Sequence, residues 1–112
     1  METREQEKSQ PFIIVEIIEY APNCVVSRTI IKKSTGNVTA EAFDTGEELN
    51  EKISPFDTFA QIIDGKAEIV IDGRSNFLDT GQSIIMPAHT RNFIKANERF
   101  KMISTVIKSG YE

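Results

Sequence analysis

Short apolar runs separated by turn residues recur along the whole chain and predict a protein built from strands. The runs lie between Gly, Pro, Asn or Asp residues and predict about nine strands, at residues 12–18, 25–33, 37–44, 57–63, 67–71, 76–78, 83–86, 91–95 and 100–108. Short strands at this spacing are typical of a sandwich or barrel.

The residues between the runs predict how the strands are connected. Ser34, Thr35 and Gly36 indicate a hairpin between the second and third runs. The pairs at 64–65 and 72–73 are both Asp-Gly, which supplies the positive φ angles that tight hairpins need. Two such turns in succession predict an antiparallel meander.

One segment, residues 45–52, has features of a helix. Thr45 with Glu48 three residues later fits a capping box. The segment is short and polar, however, and a helix of this length has little stability without apolar packing. We therefore expect one turn or a loop.

The choice of apolar residues favours strands as well. The chain contains 16 isoleucines but only two leucines, Leu49 and Leu78. Branching at Cβ suits a pleated sheet and is mildly unfavourable in a helix. The composition therefore predicts an all-β fold.

Charge and cysteine content narrow the class of protein. The net charge of −4 argues against nucleic-acid binding, which needs a basic surface. Cys24 is the only cysteine, which excludes an internal disulfide and suits a reducing cytosol. Residues 1–10 are polar, and residues 12–18 are too few to span a membrane. We expect a soluble cytoplasmic protein with no membrane partner, in which a flexible segment 1–10 precedes a single domain 11–112.

Two glycine-framed motifs lie between Gly46 and Ala96. The first begins at Gly46 and ends at Gly65, and the second begins at Gly81 and includes Pro87. In this order and spacing the frame resembles the two sequence motifs of the cupin family. The resemblance implies an antiparallel double-stranded β-helix, or jelly-roll barrel, of the small RmlC-like (cupin 2) type.

The positions that bind metal in typical cupins hold other residues in this chain. The family uses histidines and a glutamate, whereas this sequence has Lys52, Ser54, Thr58 and Asn92. Residues 52, 54 and 58 share parity, so on strands their side chains can face the barrel interior together. An ammonium repels a cation and neutral oxygens bind transition metals poorly. We expect no metal and no other cofactor.

The resemblance and the parity of the strands define the candidate pocket. Lys52 could pair with a ligand carboxylate or phosphate, or lie along the rim with its charge in water. Ser54, Thr58 and Asn92 could orient a polar ligand, or could satisfy one another or trapped water. His89 could act as a base or lone metal ligand at the pocket mouth, or be a solvated turn residue. The complete set of candidates is Lys52, Ser54, Thr58, Ala60, Ile62, His89, Asn92, Ile94 and Met102.

Three functions remain open at this point. The first is a small-molecule-binding or regulatory barrel without the usual metal site. The second is a metal-dependent dioxygenase or isomerase that uses His89 with Asp57 or Glu51. The third is a metal-free acid–base isomerase that uses Lys52 or His89.

The apolar run at residues 12–18 suggests an assembly. An exposed sheet edge of this composition would be costly. Cupins commonly pair through terminal strands, so the resemblance implies a homodimer.

Overall fold

The computed structural model describes residues 5–110, without the side chains of residues 50–52. The described residues form one 3₁₀ turn, Ile14–Glu16, and eight strands. The strands are β1 (Val25–Lys33), β2 (Gly36–Phe43), β3 (Glu48–Ile53), β4 (Thr58–Ile71), β5 (Arg74–Asp79), β6 (Ser83–Met86), β7 (Arg91–Lys95) and β8 (Phe100–Ile107). The predicted all-β class is confirmed. Within residues 5–110, no helix is long and apolar enough to cross a membrane.

The strands form a curled antiparallel sheet with the order β1-β2-β8-β4-β7-β3. Strand β4 belongs to both layers of the resulting barrel. Its first half pairs with β6 and β8, and its second half pairs with β5 and β7. The predicted jelly-roll architecture is confirmed by this arrangement.

The hairpin predicted at Asp64 and Gly65 is wrong, because β4 runs through both residues without turning. The pairing of β4 with β8 shifts between Ile62 and Asp64, and Gly65 has a φ of 88°. A Cβ atom at Gly65 would collide with the backbone of Arg99 and Phe100. The Asp-Gly pair therefore supplies a positive φ as expected, but it directly follows a bulge where the strand passes from one layer to the other.

Two further expectations are corrected by the structure. Residues 12–18 form no strand, and only the turn Ile14–Glu16 interrupts this otherwise irregular segment. Residues 45–52 contain a turn followed by β3, which pairs with β7 through Glu48 and Lys95. Pairing with a neighbouring strand outweighs the local capping signal at Thr45.

The main apolar core lies between the two layers. Its centre is a stacked pair of rings, Phe43 and Phe100, whose centroids are 4.5 Å apart. Ile62, Ile69 and Met102 are fully buried in the same cluster. This core fills one part of the barrel and leaves another part for the cavity described below.

A second apolar cluster lies on the outside of the β1–β2–β8 layer. Ile18 packs there on Ala40, Ala42, Ile30 and Ile103. We call residues 5–20 the covering segment, because they lie across this cluster. Hydrogen bonds that hold the segment include Gln6 N to Ile30 O at 3.0 Å, Arg28 Nη1 to Ile17 O at 3.2 Å and Lys101 Nζ to Val15 O at 2.7 Å.

Tyr20 fastens the end of the covering segment to the barrel. Its hydroxyl donates to Asp64 at 2.8 Å, and its ring lies 5.1 Å from the guanidinium of Arg99 and 5.0 Å from the ammonium of Lys101. Burial of the ring, followed by the bond to Asp64, raises the pKa of the Tyr20 hydroxyl. The covering segment is thus attached by polar contacts as well as by apolar packing.

Replacing Gly65 with alanine should destabilise the fold strongly. A Cβ there would combine an unfavourable positive φ with a backbone clash, at a cost of about 3 kcal/mol or more. Gly73 also has a positive φ, of 80°, but faces open space. Gly73→Ala should therefore cost only about 1 kcal/mol. Denaturant unfolding of both variants measures the difference, and equal losses would contradict this account of β4.

Truncating Ile18 should also destabilise the protein. Its side chain is 3% exposed, so Ile18→Ala should lower the free energy of unfolding by about 2 to 4 kcal/mol. Ile13 belongs to the same segment but is 60% exposed, and Ile13→Ala serves as the control. If both variants unfold at the same denaturant concentration, the covering segment does not stabilise the barrel.

Candidate functional site

A cavity of about 420 Å³ lies between the two layers of the barrel. This volume is in the range of small-molecule sites in proteins. The walls come from β1, β2 and β8 on one side and from β3, β6, β7 and the start of β4 on the others. The lining residues are Ser27, Asn37, Thr39, Glu41, Leu49, Ser54, Thr58, Met86, Asn92, Ile94, Ser104 and Val106.

Most of the residues that line the cavity have a polar side chain. Eight of the twelve lining residues carry a hydroxyl, amide or carboxylate group. Five of these eight come from β1, β2 and β8 and form what we call the polar wall: Ser27, Asn37, Thr39, Glu41 and Ser104. Ligand pockets are more often lined mainly by apolar side chains.

The polar wall follows from the packing on the outside of the barrel. Successive side chains of a strand point to opposite faces. In β2, Ala40 and Ala42 pack outward under the covering segment, so Thr39 and Glu41 must face inward. The usual arrangement, with apolar side chains inward and polar ones outward, is therefore reversed in this part of the sheet.

Glu41 is the only ionisable residue among the twelve lining residues. It lies opposite Ser27 of β1 and Met102 of β8. Ser104 Oγ donates a hydrogen bond of 3.1 Å to Glu41 Oε1. The lining thus contains one carboxylate, which has a hydroxyl partner in Ser104.

The substituted metal positions lie on the same cavity. Ser54, Thr58 and Asn92 all contribute to its lining. Ser54 Oγ accepts a 3.1 Å hydrogen bond from Phe56 N, and Asn92 Oδ1 accepts one of 3.1 Å from Thr90 Oγ1. The structure thus gives two of these three residues partners near them in sequence.

Two candidates lie at the edge of the site. The backbone of Lys52 pairs with that of Asn92, while its side chain is outside the described part of the structure. His89 occupies an exposed turn with a φ of 65°, and its side chain is not among the lining residues. Its backbone N–H donates to Ser54 O at 2.7 Å, which joins the loops of the two motifs.

The apolar candidates separate into two groups. Ile94 lines the cavity, together with Leu49 of β3. Ala60, Ile62 and Met102 are fully buried in the main core and are not part of the lining. Their parity is correct for an inward side chain, but the packed core occupies that part of the interior.

The residues on the cavity wall do not fit a metal ion of the usual cupin kind. The substituted positions with described side chains offer only neutral oxygens, and Glu41 carries the one carboxylate group among the twelve lining residues. Transition-metal sites of that kind need several imidazole or carboxylate ligands. Leaving aside the side chains of residues 50–52, no group of three or more His, Cys, Asp or Glu residues in the range 5–110 could hold a metal. His89 and Asp57 are both exposed on rim loops.

The sequence motifs do not identify the polar wall. Ser27, Asn37, Thr39, Glu41 and Ser104 all lie outside the stretch 46–96 that carries the motifs. Strict alternation of polar and apolar residues at 37–42 does reveal a two-faced strand. It does not reveal which face points inward, because that depends on the covering segment.

Comparisons with known proteins bear on the fold. No model of a protein family matches the sequence, and no curated protein is significantly similar to it. A conserved protein of unknown function from Streptococcus pyogenes is 27% identical, with a TM-score of 0.90 over 99% of this chain and 97% of that chain. A cupin superfamily protein from Desulfitobacterium hafniense is 24% identical, with a TM-score of 0.87 over 95% of this chain and 97% of that chain.

A third solved structure extends the comparison to a longer protein. A cupin 2 conserved barrel domain protein from Leptotrichia buccalis is 28% identical, with a TM-score of 0.84. The match covers 87% of this chain but 47% of that chain. The element order, the two-layered barrel and these similarities agree, and the protein has the fold of a small RmlC-like cupin domain.

Proposed function

We propose that this cupin-fold domain binds a small polar molecule in the cavity between its layers, as a binding or regulatory barrel of the cytoplasm. The observation that carries the proposal is the composition of the wall, in which eight of twelve lining residues are polar. Metal chemistry of the usual cupin kind plays no part in the proposal, because the donor set on the wall does not suit it.

The energetics of buried polar groups support a ligand. Removing a hydroxyl or amide from water is costly unless it gains a hydrogen-bond partner. Ser27, Thr39 and Asn92 are each half-buried, so their polar groups lie inside the barrel but remain within reach of solvent. A polar molecule that enters the cavity can replace water at these groups.

The arrangement favours binding over acid–base catalysis. The side chain of His89 is exposed and is not among the lining residues, which leaves Glu41 as the ionisable group among them. General acid–base chemistry depends on titratable side chains placed within hydrogen-bond reach of the substrate, and the described wall has one such group. The described wall supplies hydrogen-bonding groups instead.

A matched pair of substitutions on β8 tests the site. Ser104 faces the cavity, and its neighbour Thr105 lies on the outer side of the strand. In a thermal-shift screen of sugars, amines, carboxylates and apolar compounds, a polar compound should raise the melting temperature saturably. Ser104→Val should lower the affinity for that compound by about tenfold, because it leaves a buried hydrogen-bonding partner unsatisfied. Thr105→Val should not change its affinity, and an unchanged affinity in Ser104→Val would place the ligand elsewhere.

We also propose that two copies of the chain pair through the outer face of the β6–β4–β8–β2–β1 layer. Register places Ile85, Phe59, Thr105, Val38 and Ile31 in one row across these five strands. The side chains of Ile85, Phe59 and Ile31 are 61%, 43% and 45% exposed. The row carries no charged side chain, so it can meet its own copy without repulsion, and symmetric dimers are the commonest assemblies.

Substitution of Phe59 should separate the copies. Phe59→Glu places a carboxylate in the middle of the row, and burying it against a second copy is strongly unfavourable. Phe77→Glu is the control, because Phe77 is 72% exposed on β5 outside the row. Analytical ultracentrifugation at micromolar concentration should show a dimer for wild type and Phe77→Glu and a monomer for Phe59→Glu. A monomeric wild type would refute the proposed pairing.

A further inference from the structure

Strand β5 has one side without a neighbouring strand, and that side is both regular and open. Among residues 5–110, the strands β1, β3, β5 and β6 each pair with one neighbour only. The free side of β1 is occupied by the covering segment, which bonds there through Gln6 N to Ile30 O. The register of β3 shifts along the strand, and β6 has only four residues. β5 pairs with β4 over six residues without a shift.

The hairpin between β4 and β5 determines which backbone groups of β5 face its free side. The turn at 72–73 is a two-residue hairpin, and the residues that flank such a turn exchange hydrogen bonds with each other. Hydrogen-bonded residues alternate along an antiparallel pair, so Arg74 and every second residue after it bond to β4. The N–H and C=O groups of Ser75 and Phe77 therefore point to the free side.

The end of β5 agrees with this geometry. Asp79 has the same parity as Phe77, and its N–H donates to Gln82 Oε1 at 2.7 Å while its C=O accepts from Gln82 N at 2.9 Å. In the part of the chain that the structure describes, the outward N–H and C=O groups of Ser75 and Phe77 have no such partner. These two donors and two acceptors form an open template for a further strand.

A groove of about 480 Å³ lies beside this edge, between β5 and β6. Half of its eight lining residues are apolar, namely Ile71, Ile84, Ile85 and Pro87. Its two charged lining residues, Asp72 and Arg74, have opposite signs. An apolar side chain of moderate size therefore suits the groove.

Phe77 provides contact on the opposite face of β5. Its side chain is 72% exposed and lies across from Glu68 of β4. Because side chains alternate along a strand, the neighbouring Leu78 points into the core and Phe77 points outward. An extended chain beside β5 would direct alternate side chains to the groove and toward Phe77, and β-branched side chains pair well with an aromatic ring across strands.

We propose that the free edge of β5 binds an extended apolar segment of a partner protein as an additional antiparallel strand. The backbone of that segment bonds to the open groups of Ser75 and Phe77, and its alternate apolar side chains enter the groove. This site belongs to the other layer from the apolar row through which the copies are proposed to pair, and it does not depend on a ligand in the cavity.

Hydrogen exchange measured by nuclear magnetic resonance on the full-length protein tests the proposal. The probes are acetyl-Lys-Val-Thr-Val-Thr-Val-amide and its relatives with isoleucine, leucine or phenylalanine in place of valine. In the free protein, the amides of Ser75 and Phe77 should exchange rapidly, whereas those of Asn76 and Leu78 should be protected. At least one peptide should bind with a dissociation constant of about 1 mM or lower and slow the exchange at Ser75 and Phe77. Protection of these two amides in the free protein, or no binding by any peptide, would overturn the proposal.

Two substitutions of Ser75 isolate the contribution of the edge N–H. Ser75→Pro removes it and places a ring at the edge, but leaves the pairing with β4 intact because that N–H takes no part in it. Ser75→Ala keeps the N–H and, like proline, removes the hydroxyl that donates to Glu68 at 2.7 Å. Ser75→Pro should lower the peptide affinity by about tenfold or more, and Ser75→Ala by less than about twofold. Equal affinities of the two variants would contradict strand addition.

Modified peptides repeat the test without any change to the protein, and they decide the matter if Ser75→Pro does not fold. In antiparallel pairing the threonine N–H groups face β5 and the valine N–H groups face away. N-methylation of the threonines should therefore abolish binding, whereas N-methylation of the valines should change the affinity by less than about threefold. The same effect from both modifications would show that the peptide does not add as a strand.

Two further results would place the occupant elsewhere and overturn the proposal. Ile85 belongs both to the groove and to the apolar row, so the titration is repeated with Phe59→Glu, which should bind the peptide like wild type. Loss of binding in Phe59→Glu would locate the peptide on the row. Conversion of a dimeric wild type into a monomer by Ser75→Pro would show that a second copy, and not a partner protein, occupies the edge of β5.

Discussion

The packing of Ile18 against Ala40, Ala42 and Ile103 determines which face of the β1–β2–β8 layer points into the barrel. Because side chains alternate along a strand, a cluster buried on the outside sends the polar residues of the same strand inside. A slip of one residue would exchange the two faces. The polar cavity is therefore a consequence of packing on the opposite surface of the sheet, and the covering segment is part of the site without contributing to its lining.

The long strand β4 connects this site to the rest of the barrel. Its first half provides Thr58 to the cavity and its second half provides Ile69 to the core, and the bulge between Ile62 and Asp64 joins them. The stacked rings of Phe43 and Phe100 fill the interior beside that crossing. One end of the barrel is thus solid and the other hollow, which explains why buried residues of the same parity divide between core and cavity.

Local sequence signals predicted strands and turns correctly where the structure depends on neighbouring residues alone. β6 and β7 have the predicted bounds, and the Asp-Gly pair at 72–73 forms the expected hairpin with two positive φ angles. The same dipeptide at 64–65 lies within β4, directly after a bulge, because this strand gains partners in both layers by continuing. In segment 45–52, the residues from Glu48 onward form part of β3, because they pair with β7. The polar wall required knowledge of the outer cluster, a contact between residues distant in sequence that no single strand reveals.

Alternate residues of β2 pack on the outside of the barrel and line its cavity, and this affects how the barrel can change over evolution. Ala40 and Ala42 stabilise the fold from outside, whereas Asn37, Thr39 and Glu41 take no part in either apolar cluster. Substitutions at Asn37 and Thr39 would change the lining of the cavity without removing a side chain from either apolar cluster. One strand therefore carries apolar packing and cavity lining at alternate residues, so that the lining can change over evolution on an unchanged scaffold.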